Sequence, residues 1–217
     1  MKHIQGAWAG LIALLLTGML LSGCDVPIDQ FWKEPRDLLV DRVEAARDAQ
    51  QTSVEQIQTA MEKFKRVTQF EGGNLEKEFN TLNSAFKRSQ SAVEDVSTRI
   101  DRVQSATDKL FDEWSQELEK YHDPSLRAKS EQELEATRQR AARMIAAMRR
   151  AEAKTKPVLN VFRDQVLFLK HNLNMQAITS LRGETAKIET DVSRLIDEMK
   201  ASIAEANRFI DAMHLSS

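Results

Sequence analysis

Residues 75–114 read LEKEFNTLNSAFKRSQSAVEDVSTRIDRVQSATDKLFDEW. Within them Leu75, Phe79, Leu82, Phe86, Ser89, Val93, Val96, Ile100, Val103, Thr107, Leu110 and Trp114 fall alternately four and three apart without a slip. That rhythm averages about 3.5 residues and holds one stripe of an α-helix against partners along a seam. The stretch therefore predicts a long amphipathic helix in a bundle.

Its borders predict turns. Glu71-Gly72-Gly73-Asn74 precedes it, where glycine can take the left-handed conformation and Asn74 can cap the next helix. His122-Asp123-Pro124-Ser125 follows, and proline cannot continue a hydrogen-bond ladder. The same rhythm lies on both sides. Upstream it runs through Leu39, Val43, Ala46, Gln50, Ser53, Ile57, Ala60, Phe64 and Val67. Downstream it runs through Leu134, Thr137, Ala141, Met144, Met148, Ala151, Thr155, Val158, Phe162, Gln165 and Leu169. After His171-Asn172-Leu173-Asn174 it restarts as Ile178, Leu181, Thr185, Ile188, Val192, Leu195, Met199, Ser202, Ala206, Ile210 and Met213.

Short connections make successive helices antiparallel neighbours. Counting away from each turn sets Phe64 level with Leu82, Val43 with Val103, Val103 with Met144, Trp114 with Leu134, Met148 with Met199 and Leu134 with Met213. The apolar rows coincide, so the expected fold is all-α: an elongated, antiparallel, up-down-up-down four-helix bundle or coiled coil. Its helices would be about 50 to 70 Å long at helical rise. Gln50, Ser53, Ser89, Thr107, Thr137, Thr155, Gln165, Thr185 and Ser202 put polar groups on the seams, which sets register at a cost in stability. Pro157 should kink the third helix.

The N-terminus reads differently. Lys2 precedes an apolar run from about Ala7 to Leu20, too short for a spanning helix, and Leu21-Ser22-Gly23-Cys24 ends it with the only cysteine. An aliphatic residue, two small residues and cysteine form the pattern of a bacterial lipoprotein signal. The expected division is a signal peptide over 1–23, a lipidated Cys24 with a tether over 24–36, and the bundle over 37–215. Asp25 directly follows the cysteine, the place that retains lipoproteins in the inner membrane of enteric bacteria. The inner membrane is therefore expected over the outer, with the protein on the periplasmic side.

Losing Lys2 with the signal would take the formal charge from −2 to −3, which gives no strong field for a polyanion such as nucleic acid. The mature chain would hold no thiol, so packing alone must stabilise it. No phosphate-binding glycine loop and no nucleophile elbow occurs, so no catalytic residue and no cofactor is expected. Glu119-Lys-Tyr-His122 and Asp211-Ala-Met-His214 imitate the spacing of a di-iron motif. Both sit at helix ends without buried glutamates on facing helices, so no metal is expected.

Two stretches are candidate interaction sites. One is the hairpin over Asp112–Glu135, with Trp114, Leu118 and Tyr121, directed toward the anchored end and carrying a surplus of acidic residues. The other is the turn at His171, Asn172 and Asn174, where the asparagines could equally serve only as caps. Between Arg138 and Lys156 stand Arg138, Arg140, Arg143, Arg149, Arg150, Lys154 and Lys156 against Glu152 alone. They form either an anion-binding stripe or a set of ion pairs with Glu94, Asp95, Asp101, Asp197, Glu198 and Glu205, which fall level with it.

Pro157-Val-Leu-Asn160, Phe168-Leu-Lys-His-Asn-Leu-Asn174 and Gln176-Ala-Ile178 are the most individual text. Through them the chain resembles an uncharacterised family of Gram-negative predicted lipoproteins, described as a domain of unknown function. The resemblance implies a helical, membrane-attached protein and carries over no catalytic residue. The expected role is a lipid-anchored, non-catalytic scaffold whose partner is an unidentified protein or a second copy in a homo-oligomer. The alternative is a binding module for an anionic or lipid ligand along the bundle.

Overall fold

The computed structural model describes residues 35–215. Four helices make up that span: α1 (Pro35–Thr68), α2 (Leu75–Leu118), α3 (Pro124–His171) and α4 (Met175–Leu215). At about 1.5 Å per residue they are about 50 to 70 Å long. Each packs against its neighbours in sequence, and α1 closes the square against α4. The backbones of neither diagonal pair approach closely among the described residues, although side chains meet across the core. This is the expected up-down-up-down bundle. The expected lipoprotein signal, Cys24 and nearly all of the expected tether lie outside the described residues. Pro35, the first described residue, is already helical, two residues before the expected boundary.

The turns follow the local chemistry. Gly73 takes φ of 108°, open to glycine and strained for other residues. Asn74 caps α2 by accepting from the Lys77 amide at 2.9 Å. Asp123 caps α3 by accepting from the amides of Ser125 at 2.7 Å and Leu126 at 3.3 Å. Asn174 caps α4 by accepting from the Ala177 amide at 3.0 Å.

The core divides lengthwise into two stacked clusters. Near the α2–α3 turn, Leu39, Val43, Val103, Leu134, Met144 and Met213 share one, so the counted rows meet. Near the other two turns, Phe64, Leu82, Phe162, Ile178 and Leu195 share the second. Phe162 sits at 5.2 Å between ring centroids from both Phe64 and Phe86, joining α3 to α1 and α2 by edge and tilted ring contacts. Between the clusters, the buried Gln50 side chain bonds the buried Ser202 hydroxyl at 3.0 Å and fixes α1 against α4. Phe70, Leu75 and Leu173 all pack on the second cluster, which puts the α1–α2 and α3–α4 turns at one end.

α3 departs from the expected stripe. Its buried positions run Ala151, Thr155, Leu159, Phe162, Val166 and Leu169, while Val158 and Gln165 are only half-buried. Two successive steps of four turn the inward face by one residue, as happens when the repeat approaches the period of a straight helix. Pro157 lies at that change of phase and is exposed. Ala153, whose carbonyl loses its usual donor, is exposed too, so water can serve that carbonyl and α3 continues to His171.

Candidate functional site

Three places on the bundle bear on function. The first is the end where α1 begins and α4 stops against the α2–α3 hairpin. Arg36, Trp114, Tyr121, Leu126, Ser130 and Met213 are among the residues lining an open groove there. Arg36 donates to the Met213 carbonyl and ties the two shorter helices together. Trp114 is half-buried, and its indole N–H donates to Ser130 Oγ at 2.9 Å across the hairpin. Tyr121 and Leu126 are 42% and 53% exposed, so apolar surface does face solvent at this end. Leu118 is a correction: at 8% exposure it belongs to the core and joins α2 to α3, so it offers no contact surface.

The second place is the opposite end. His171 is exposed, as a contact residue must be. Asn172 Nδ2 donates to the Phe168 carbonyl at 3.1 Å, and Asn174 caps α4, so both asparagines close helix ends. Beside them stands a feature missed in the sequence: Val161, Leu167, Phe168 and Met175 are large apolar side chains 41 to 50% exposed. Phe168 stays outside the core, where Phe162, Val166 and Leu169 lie. A run Val166-Leu-Phe-Leu169 is apolar on every side of a helix, and only the steps of three and four could have told which members face outward.

The third place is the basic stripe of α3, and the structure divides it. Arg149 pairs with Asp101 at 2.6 Å and Glu152 at 2.9 Å, and the Asp101 bond leads in raising its pKa. Lys154 pairs with Glu198. Arg138 lies 5.4 Å over the Phe111 ring and donates to Ser115 Oγ at 2.9 Å. By contrast, no carboxylate lies within 4.0 Å of Arg140, Arg143 or Arg150 among the described residues (the ion pairs there run through other side chains). Arg140 reaches only Thr137 Oγ1 at 2.9 Å, and its Nε is buried without a partner. On the neighbouring α4, Glu205 pairs with Arg208 of its own helix at 2.6 Å. That bond, with Arg143 and Arg150 nearby, holds the Glu205 carboxyl below the ordinary carboxylate range.

Glu119 accepts from Arg127 at 3.0 Å, and His122 is exposed in the turn after α2. Among the described residues no group of three or more His, Cys, Asp or Glu is placed to hold a metal. Nor is any described helix long and apolar enough to cross a membrane.

A search of curated proteins returns no match. A comparison with protein-family models matches residues 27–213 to the family described as a protein of unknown function, DUF2959. The match takes in all four helices and agrees with the resemblance carried by the text around Pro157 to Ile178. The chain belongs to DUF2959, a family of unknown function.

Proposed function

We propose that the protein is a lipid-anchored periplasmic spacer that presents a protein-binding end at a fixed distance from a membrane and catalyses no reaction itself. Cys24 would carry the acyl anchor, and Asp25 would keep it in the inner membrane. The observation that carries this reading is the polarity of the rod. α1 begins at one end, and the exposed Val161, Leu167, Phe168 and Met175 lie toward the other. The 34 residues of α1 separate those ends by about 50 Å at helical rise. Antiparallel helices bonded through Gln50 and Ser202 resist sliding, so the separation would be kept under load.

The test is in-cell photocrosslinking with a benzoyl-phenylalanine at position 168 of the full chain, and a second at Ser91, exposed on α2. The proposal expects a discrete crosslinked protein species from position 168 and none from position 91. Equal yields at both, or none at 168, would contradict a partner held at that end.

A further inference from the structure

The residues left over from ion pairing on α3 carry a second inference, independent of the spacer reading. Arg140, Arg143, Glu205, Arg208 and Phe209 line a groove of about 300 Å³ between α3 and α4. Arg150 lies seven residues beyond Arg143, two helical turns further along α3, and acts on the same Glu205 carboxylate. Three guanidinium groups thus line a groove that holds one carboxylate, a fourth acts on that carboxylate from beyond the lining, and the carboxylate is already taken by Arg208. The local surplus is three positive charges in a chain whose formal charge is −2, so it is no reflection of overall composition. The neighbouring cations Arg149 and Lys154 show that pairing was available along α3 and was used there. It was not used at Arg140, Arg143 and Arg150.

We propose that this α3–α4 groove is a binding site for a phosphate-bearing anion, with Arg140 and Arg143 as its ligands, Arg150 adding positive charge beyond the lining and Glu205 holding Arg208 in place beside them. A guanidinium offers two parallel N–H donors whose spacing matches two phosphate oxygens. Several of them around one groove suit the concentrated charge of a phosphate or diphosphate. The half-buried Arg140 would be desolvated at the start, so less water has to leave when the anion enters. The phosphate could come from a lipid headgroup or from a free phosphorylated molecule.

The experiment uses the mature chain from residue 24 with Cys24→Ser, so that no acyl group obscures the binding. One arm titrates inorganic pyrophosphate by calorimetry at constant ionic strength. The other floats the chain with phosphatidylglycerol vesicles and, in parallel, with phosphatidylcholine vesicles. Arg143→Gln/Arg150→Gln is compared with Arg149→Gln/Lys154→Gln, which removes the same charge from the paired cations. All four side chains are at the surface, and unchanged far-ultraviolet circular dichroism shows that each variant folds. The proposal expects binding in at least one arm, weakened about tenfold or more by the first double variant and by no more than about twofold by the second. Pyrophosphate binding alone would mark a free phosphate as the source. Flotation with phosphatidylglycerol alone would mark a headgroup. Absence of binding in both arms, or equal weakening by the two double variants, would overturn the proposal.

Discussion

Ser202→Ala would remove the hydroxyl that partners Gln50 in the middle of the bundle. Both residues are fully buried, and the pair is bonded in both directions, Gln50 Nε2 to Ser202 Oγ at 3.0 Å and Ser202 Oγ to Gln50 Oε1 at 3.1 Å. The alanine variant leaves a carboxamide in the core with no partner on α4, which costs about 1 to 3 kcal/mol. Gln50→Leu keeps the volume and strands only the Ser202 hydroxyl, which can turn to a carbonyl of its own helix; about 1 kcal/mol is expected. The double variant strands nothing and should lie within about 1 kcal/mol of the parent. The two losses therefore should not add, and the cycle should give a coupling of about 1 kcal/mol or more. Urea unfolding followed by circular dichroism, with linear extrapolation, measures each corner. A domain of this kind has only about 5 to 15 kcal/mol in hand, so the differences are readily resolved. Losses that add to within about 0.3 kcal/mol would show that the two side chains do not meet, and the register of α1 on α4 would be wrong.

Val103 is fully buried in the cluster nearer the α2–α3 turn, so Val103→Asp should cost roughly 3 kcal/mol or more, against about 0.5 kcal/mol or less for the exposed Lys109→Ala, both read from urea melts. In a Cys24→Ser background, Gly73→Cys with Asn174→Cys should crosslink through a short bifunctional reagent; crosslinking of Gly73→Cys with Pro124→Cys instead would refute the topology. Glu205 is held below its usual range, first by its bond to Arg208, so its contribution to stability is present above the ordinary carboxylate pKa and is lost as pH falls through the depressed value. Arg208→Ala should move the Glu205 titration, followed by carboxyl NMR, upward; an unmoved titration would mean that Arg208 does not set it.

The architecture was legible because three turn signals and an unbroken heptad rhythm constrain one another. Counting from Gly73, Pro124 and His171 was enough to bring Val43, Val103 and Met144 into one cluster. The same count placed Asp101 and Glu198 opposite the basic stripe, where they pair with Arg149 and Lys154. Where legibility failed, the rhythm itself was ambiguous. Val158 and Leu159 are both apolar and adjacent, as are Leu167, Phe168 and Leu169, and a one-residue change of phase at Pro157 decides which enters the core. Leu118 is buried because the step after Trp114 is four where three was due. The surplus at Arg140, Arg143 and Arg150 could not be read from the stripe alone, since it depends on which carboxylates are already engaged.

Attachment through Cys24 is the claim on which the spacer reading rests, and metabolic labelling with a palmitate analogue tests it directly. Cells producing the full chain should yield a labelled protein, and cells producing Cys24→Ser should yield none, because the mature chain has no other thiol. Label retained on the serine variant, or absent from the parent, would contradict a lipid anchor at this position.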